Sequence, residues 1–321
     1  MVKRYLLVSD FDGTVANTFA KSPNGVNVDM AYEYAIKELF SKEGLMAYQE
    51  IGGLQNKAPE ELVSDILRQT DNVKILNKNA EQCFLKHDKT LSRLVPKGKG
   101  SLLEQQLFTR GKESHRVMAE MLVLLKMSFL MSEIGVQHND NTCWPEPCHG
   151  FINFYKFLEE LNKDNDLDIQ FAILSSGHDI FIQKTFELWG IKIPQIMVTD
   201  DDMRGASYPK SIRRRVKPSS YLFDLIQSQW LNSFMQLHNS AQLIEQVLHY
   251  RDRMVYFGDD SAKDGELARN ARVPFFLLKN PTVESCCSYR WSEIQTLKFD
   301  QKCIDLMKKD TRFFQIFSNH M

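Results

Sequence analysis

The chain has 321 residues, 43% of them hydrophobic and 25% charged, with a formal net charge of −1 at neutral pH. That is enough apolar material for a full core and two domains. The near balance of charge and a pI of about 6.7 exclude a partner held by bulk electrostatics, so no nucleic-acid partner is expected.

The first predicted element is the strand RYLLVSD (4–10), which runs into LLVSDFDGTVANT (6–18). The apolar run behind Lys3 and Arg4 ends at Val8, too short for a signal peptide. Asp10 and Asp12 stand at the strand tip, followed at once by Gly13 and Thr14. Burying a carboxylate without a partner is costly, so this pair needs a metal, donors or a chemical task.

From about Asn17 to Pro147 helical patterns replace strands. VDMAYEYAIKELFSKEG (28–44), APEELVSDILRQ (58–69) and SLLEQQLFTRGKESHRVMAEMLVLLKMSFLMSEIG (101–135) are the helices, with breaks at IGGLQNK (51–57) and VPKGKGS (95–101). CWPEPCHG (143–150) closes the stretch. The greasiest run, MLVLLKMSFLM (121–131), is interrupted by Lys126 and is too short to span a bilayer. It reads as a buried helix, and no membrane partner is expected. PKGKGS lacks the spacing of a phosphate loop and has no strand before it. Lys57, in the first break, reads as a solvated lysine, with substrate contact the alternative.

After the insertion, strands and helices alternate. The strands are IQFAILSS (169–176), QIMVTDD (195–201), DRMVYFGDD (252–260) and VPFFLLKN (273–280). Between them lie amphipathic helices: GFINFYKFLEELNK (150–163), DIFIQKTFELWG (179–190), SSYLFDLIQSQWLNSFM (219–235) and SAQLIEQVLHY (240–250). The second is expected to start on Asp179 as N-cap and to stop at Gly190. WSEIQTLKFD (291–300) reads as packing against the core. The alternation predicts an α/β fold: a Rossmann-like, doubly wound parallel sheet with an all-helical insertion. Several strands end in Asp or Ser, and ligands of open parallel sheets bind at the carboxyl ends of strands.

The remaining polar features read more blandly. RGASYPKSIRRRVK (204–217), just after the acids at 200–202, is a solvated loop or a rim attracting phosphorylated substrates. His178 is a surface or cap-adjacent histidine, or looks into the site. Six cysteines, at 83, 143, 148, 286, 287 and 303, form no C-x-x-C pair and read as reduced thiols, which makes the cytoplasm the expected compartment. With His138 and His149 they lack zinc-ligand spacing.

Four pieces occur in one order: D-x-D-G-T at Asp10–Thr14, Ser175 ending FAILSSG, Lys217 in RVKPSSYLFDL, and Asp259, Asp260 and Asp264 in VYFGDDSAKDGELARNARVP. Together they resemble the haloacid dehalogenase superfamily of phosphotransferases, over residues 1–20 and 150–280. The resemblance implies an α/β core of residues 1–20 and 149–321 and a helical cap of 21–148. It implies Asp10 as nucleophile and Asp12 as general acid/base, an acid that phosphatases carry and dehalogenases usually lack. Ser175, with the amides of Ser176 and Gly177, would hold phosphate, and Lys217 would neutralise it and Asp10. The implied cofactor is Mg²⁺, bound by the Asp10 side chain, the Asp12 carbonyl and Asp259, with Asp260 as the rival ligand and Asp264 in the outer shell or beside Lys217. The function implied is a Mg²⁺-dependent phosphatase acting on a small phosphorylated molecule through an aspartyl-phosphate. A phosphomutase of the β-phosphoglucomutase kind, a phosphotransferase to another acceptor, and a non-catalytic binding or regulatory protein are the alternatives. Neither the substrate nor the oligomeric state is legible.

Overall fold

The computed structural model describes residues 3–53, 57–70, 73–95, 101, 103, 114–138, 141–163, 167–204, 216–235, 253–278 and 291. Five strands form one parallel sheet: β1 (Lys3–Ser9), β2 (Leu167–Leu174), β3 (Ile196–Val198), β4 (Met254–Gly258) and β5 (Phe275–Leu277), in the order β3-β2-β1-β4-β5. The chain steps outward from β1 to β3, then returns to the other side of β1. Between β1 and β4 the direction of winding reverses, and the crevice at such a reversal is where open α/β sheets bind ligands.

Both faces of the sheet are covered, which is why its strands read as continuous apolar runs. Tyr5, Leu7, Ile173, Val255 and Phe257 point to one face and meet α5 (Phe151–Leu161) and α6 (Asp179–Leu188). Leu6, Val8, Leu174, Met254 and Tyr256 point to the other and meet α8 (Tyr221–Met235) and α9 (Glu266–Ala271). α7 (Asp200–Arg204) follows β3 directly. Strand β3 is therefore shorter than its sequence suggests. The carboxylate of Asp202 accepts the Thr199 amide at 2.9 Å and starts a helix where a strand was expected. His178, not Asp179, is the N-cap of α6, and Gly190 lies just past its end with φ of +64°.

Among the described residues four helices precede α5 between β1 and β2: α1 (Val28–Glu50), α2 (Pro59–Gln69), α3 (Val73–Leu94) and α4 (Ser114–Glu133). They share a hydrophobic cluster drawn only from residues between Ala35 and Leu125. α1 runs past its expected end at 44 because the break at Ser41, with φ of +64°, lets the helix resume. Gly44 permits that break, since a methyl there would overlap Phe40. Lower down, Met127 and Leu130 of α4 join the cluster on the sheet. No helix among the described residues is long and apolar enough to cross a membrane.

Trp291 is 2% exposed and closes the face covered by α5. Its ring lies 4.6 Å from that of Phe154 and 5.1 Å from that of Phe257, centroid to centroid. Its indole N–H donates to the Thr14 carbonyl at 2.8 Å, so the tail packs on the core at this residue and braces the loop after β1. The rest of the tail, the helix expected at 240–250, most of 95–113 and the basic residues 205–215 lie outside the described residues. Trp291→Ala is expected to lower unfolding stability by about 3–5 kcal/mol, the usual range for truncating a buried tryptophan; a urea titration followed by circular dichroism measures it.

Candidate active site

Pairing between β1 and β4 sets Ser9 beside Phe257, and the Asp10 amide adds one more bond, to the Phe257 carbonyl at 2.8 Å. This places Asp10 beside the exit of β4. Lys217, from the segment leading into α8, sends its ammonium 2.7 Å from Asp10 Oδ1 and 2.8 Å from Asp264 Oδ1. The Tyr256 hydroxyl donates to the same Asp264 oxygen at 2.7 Å. Asp259 completes the group: one oxygen each from Asp10, Asp259 and Asp264 lie within 4.8 Å of one another. The Thr14 hydroxyl donates to Asp259 Oδ1 at 3.1 Å.

The electrostatics of this cluster are strained. Burial pushes the Asp10 carboxyl well above the ordinary range; Lys217 pulls it back, while Asp264 and Asp259 raise it further. Burial by itself would lower the Lys217 ammonium, but Asp10 and Asp264 outweigh it and hold the pKa above that of an ordinary lysine. Burial, then Asp264, likewise raises Tyr256. Three carboxylates thus face one ammonium, and the surplus negative charge suits a divalent cation. The donors are all oxygen, the set Mg²⁺ prefers. Burial, then Asp259 and Asp12, raise the Cys148 thiol above its ordinary range.

Asp12 stands apart from this cluster. Its Oδ1 accepts the Thr18 hydroxyl at 2.7 Å. Its Oδ2 faces the turn after β2: a methyl at Gly177 would lie 3.3 Å from that oxygen and 3.1 Å from Ser175 Oγ. Ser175 is buried at the end of β2, where its amide donates to the Val198 carbonyl at 3.0 Å. The turn thus sets Ser175 and Asp12 around one space, with Asp10 on the neighbouring strand.

Two groups named as candidates have partners of their own in the structure. Asp260 is not turned to the carboxylate cluster: its Oδ1 accepts the amides of Ala262 at 2.8 Å and Lys263 at 3.0 Å, capping the π-helical turn Ser261–Gly265. Between the two adjacent acids, Asp259 is the one at the cleft. The Gly177 amide, expected to hold phosphate, donates to Ser175 Oγ at 2.8 Å. Asp264 sits beside Lys217, one of its two expected places. Lys57 pairs with Asp65 at 2.9 Å.

Sequence reading missed Tyr256, hidden in an apolar strand, and the network around His178. That imidazole is 1% exposed, with Nδ1 2.6 Å from Asp201 Oδ1. Asp201 Oδ2 accepts the Asp179 amide at 2.9 Å, Thr199 Oγ1 donates to Asp179 at 2.6 Å, and the Asp200 amide donates to the Gly177 carbonyl at 3.0 Å. These bonds pin the Ser175 turn to the corner between β3 and α7. The one signal in the sequence was the run of three acids at 200–202.

No protein-family model matches the chain, and none of the curated proteins gives a significant match. Solved structures to which it is similar are hydrolases of the haloacid dehalogenase (HAD) superfamily. A HAD phosphatase from Thermococcus onnurineus is 11% identical with a TM-score of 0.39, over 92% of this chain and 97% of that one. A HAD-superfamily hydrolase from Geobacter sulfurreducens is 14% identical with a TM-score of 0.39, over 91% and 95%. A 2-haloacid dehalogenase from Pseudomonas syringae pv. tomato is 14% identical with a TM-score of 0.37, over 92% and 98%. At this distance the chemistry has to be read from the chain's own residues.

Gly258 is part of that chemistry. A methyl there would lie 2.5 Å from Asp264 Oδ2 and 2.6 Å from its Cβ. Gly258→Ala is expected to displace the buried Asp264 and to cost about 1–3 kcal/mol by overpacking, readable as a lower denaturation midpoint.

Proposed function

We propose that the protein is a Mg²⁺-dependent phosphatase that hydrolyses a phosphate monoester of a small molecule through an aspartyl-phosphate on Asp10. The observation that carries this reading is Lys217 bridging Asp10 and Asp264 beside Asp259, with Asp12 held separately by Thr18. A buried ion cluster is weak support for stability, since apolar side chains of similar volume commonly do as well. Its presence at the reversal point of the sheet therefore argues for a task.

The roles proposed are those the resemblance implies, and the geometry is compatible with them. Asp10 attacks phosphorus as the bond to the leaving oxygen breaks, and Asp12 gives that oxygen its proton. Asp12, now a carboxylate, takes a proton from water, which attacks the phosphoryl group and returns Asp10 unmodified. Thr18 holds Asp12 by one oxygen and leaves the other facing the Ser175 side of the space. Lys217 neutralises Asp10 and the incoming phosphate, and Ser175 lies where a phosphate oxygen can be held. Asp10 and Asp259 would hold Mg²⁺, with Asp264 behind them; the ion would supply the positive charge that a carboxylate attacking an anion requires. A proton-carrying acid at position 12 favours phosphate over halide as the leaving chemistry. Helices α1–α4, inserted directly after Asp12 and Thr18, suit a covered site and a small substrate.

Asp10→Asn is expected to abolish turnover and any covalent adduct. Asp12→Asn keeps the nucleophile but lacks the base for the second step. With p-nitrophenyl phosphate it should accumulate a mass increase of one phosphoryl group, ~80 Da, in acid-quenched intact-mass spectra. An adduct on the Asp10→Asn protein, or wild-type turnover by both variants, sinks the reading. Activity should also be lost in EDTA, return with Mg²⁺, and fall when Ca²⁺ replaces it, because Ca²⁺ accepts looser and higher coordination; steady-state rates in each metal decide this.

A further inference from the structure

Lys126 lies in the middle of α4 and is 4% exposed. Its ammonium sits 4.5 Å from the centroid of the Tyr32 ring. Among the described residues it makes no ion pair and no hydrogen bond. Lysines are almost never buried without a partner. One ring face offsets only part of the cost of desolvating an ammonium. Nine hydrophobic residues and Ser128 surround it in MLVLLKMSFLM, where an apolar residue would pack at no such cost.

Its place in the fold is informative. Val123, Lys126, Met127 and Leu130 share one face of α4 by helical spacing. Met127 and Leu130 pack in the cluster that contains Phe11 and Val15 of the loop after β1, whereas Leu122, Leu124 and Leu125 pack inside the helical insertion. Tyr32 marks the same junction on α1: Ala31 packs with Phe11, and Ala35 and Ile36 pack within the insertion. A short path leads from there to the general acid. Asp12 accepts the Thr18 hydroxyl at 2.7 Å, and the Thr18 carbonyl accepts the Val28 amide at 3.3 Å. Tyr32 follows Val28 by one turn of helix, a rise of about 5.4–6 Å, and its ring carries Lys126.

We propose that Lys126 is a substrate-recognition residue that pairs with a second anionic group, so that the preferred substrates are phosphate monoesters bearing a carboxylate or another phosphate. The proposal rests on the phosphatase reading above. Lys217 serves the phosphate being transferred; Lys126 lies where the insertion meets the cluster that contains the loop after β1, with no counter-charge among the described residues. A substrate with an uncharged substituent leaves that ammonium unpaired in the complex, and an anionic substituent supplies the missing partner.

Matched substrate pairs test this. 3-Phosphoglycerate differs from glycerol 3-phosphate by a carboxylate in place of a hydroxymethyl, and 1,3-propanediol bisphosphate differs from propyl phosphate by a second phosphate. For wild type, kcat/KM is expected to favour the charged member of at least one pair by about 10–100-fold, the scale of one charge-assisted hydrogen bond. The pair that responds identifies the anion. Lys126→Met should bring that ratio toward unity, and Lys126→Arg should retain it. A wild-type ratio near one in both pairs overturns the proposal. So does a Lys126→Met protein that slows both members equally, since a structural role predicts that result. If the Met variant does not fold, wild-type inhibition of p-nitrophenyl phosphate hydrolysis decides: the charged member must be the stronger competitor, and equal competition overturns the proposal. Failure of the wild type to hydrolyse p-nitrophenyl phosphate at all marks the phosphatase reading, and this inference with it, as wrong.

Discussion

Like charges cannot be gathered in a buried corner unless something of opposite sign is fixed among them, and in this protein that element is the Lys217 ammonium. It bridges Asp10 and Asp264 at the exits of two adjacent strands. Much of the surrounding structure exists to make that bridge possible. The parallel register of β1 and β4 brings Asp10 to the end of β4. Gly258 gives up its side chain to admit Asp264. Tyr256 reaches across from the strand and donates to the same carboxylate oxygen as Lys217. Each device positions charge, and Tyr256 does so from a ring that is itself part of the apolar core.

The second acid is held by different means. Asp12 depends on a neutral hydroxyl, Thr18, rather than on an ammonium. The two carboxylates therefore occupy unlike environments two residues apart, as the roles proposed for them would need. Thr18 also stands at the entrance to the insertion, where its carbonyl accepts the amide that opens α1. The residue that aims the acid is thus mechanically joined to the helices above the site. From below, Trp291 holds the Thr14 carbonyl, while the Thr14 hydroxyl faces Asp259. The loop after β1 is braced on both sides.

A third brace lies at the turn after β2. His178 and Asp201 join that turn to the corner after β3, so Ser175 is anchored by a buried hydrogen-bond network as well as by its strand. The proposed phosphate position is surrounded by three independent supports: the Lys217 cluster, the Thr18 contact and the His178 network. Preorganisation of this kind is what lets a few charges act strongly in a site shielded from water.

The α/β architecture was legible in the sequence, which also singled out Asp10, Asp12, Ser175 and Lys217 at strand tips or a helix entry, and Asp264 in one of two expected places. Apolar runs ending in acids or a hydroxyl report strand tips locally, and strand tips of a parallel sheet converge on one edge whatever lies between them. What the sequence could not settle were choices between near neighbours and contacts between distant ones. Asp259 and Asp260 are adjacent and chemically identical, and only the path of the chain out of β4 turns one to the cleft and the other to its own helix. His178 read as a surface or cap-adjacent residue, or one looking into the site, because the carboxylate beside it comes from α7, 23 positions on. Lys126 read as a break in an apolar helix, and its burial against Tyr32 depends on how α1 and α4 cross. Trp291 reaches Thr14 across 277 positions. Local pattern determines which segments become strands and helices, since periodicity and capping act over a few residues. Which side chain is buried, paired or left without a counter-charge is decided by segments far apart in the chain, and those meet only when the tertiary structure forms.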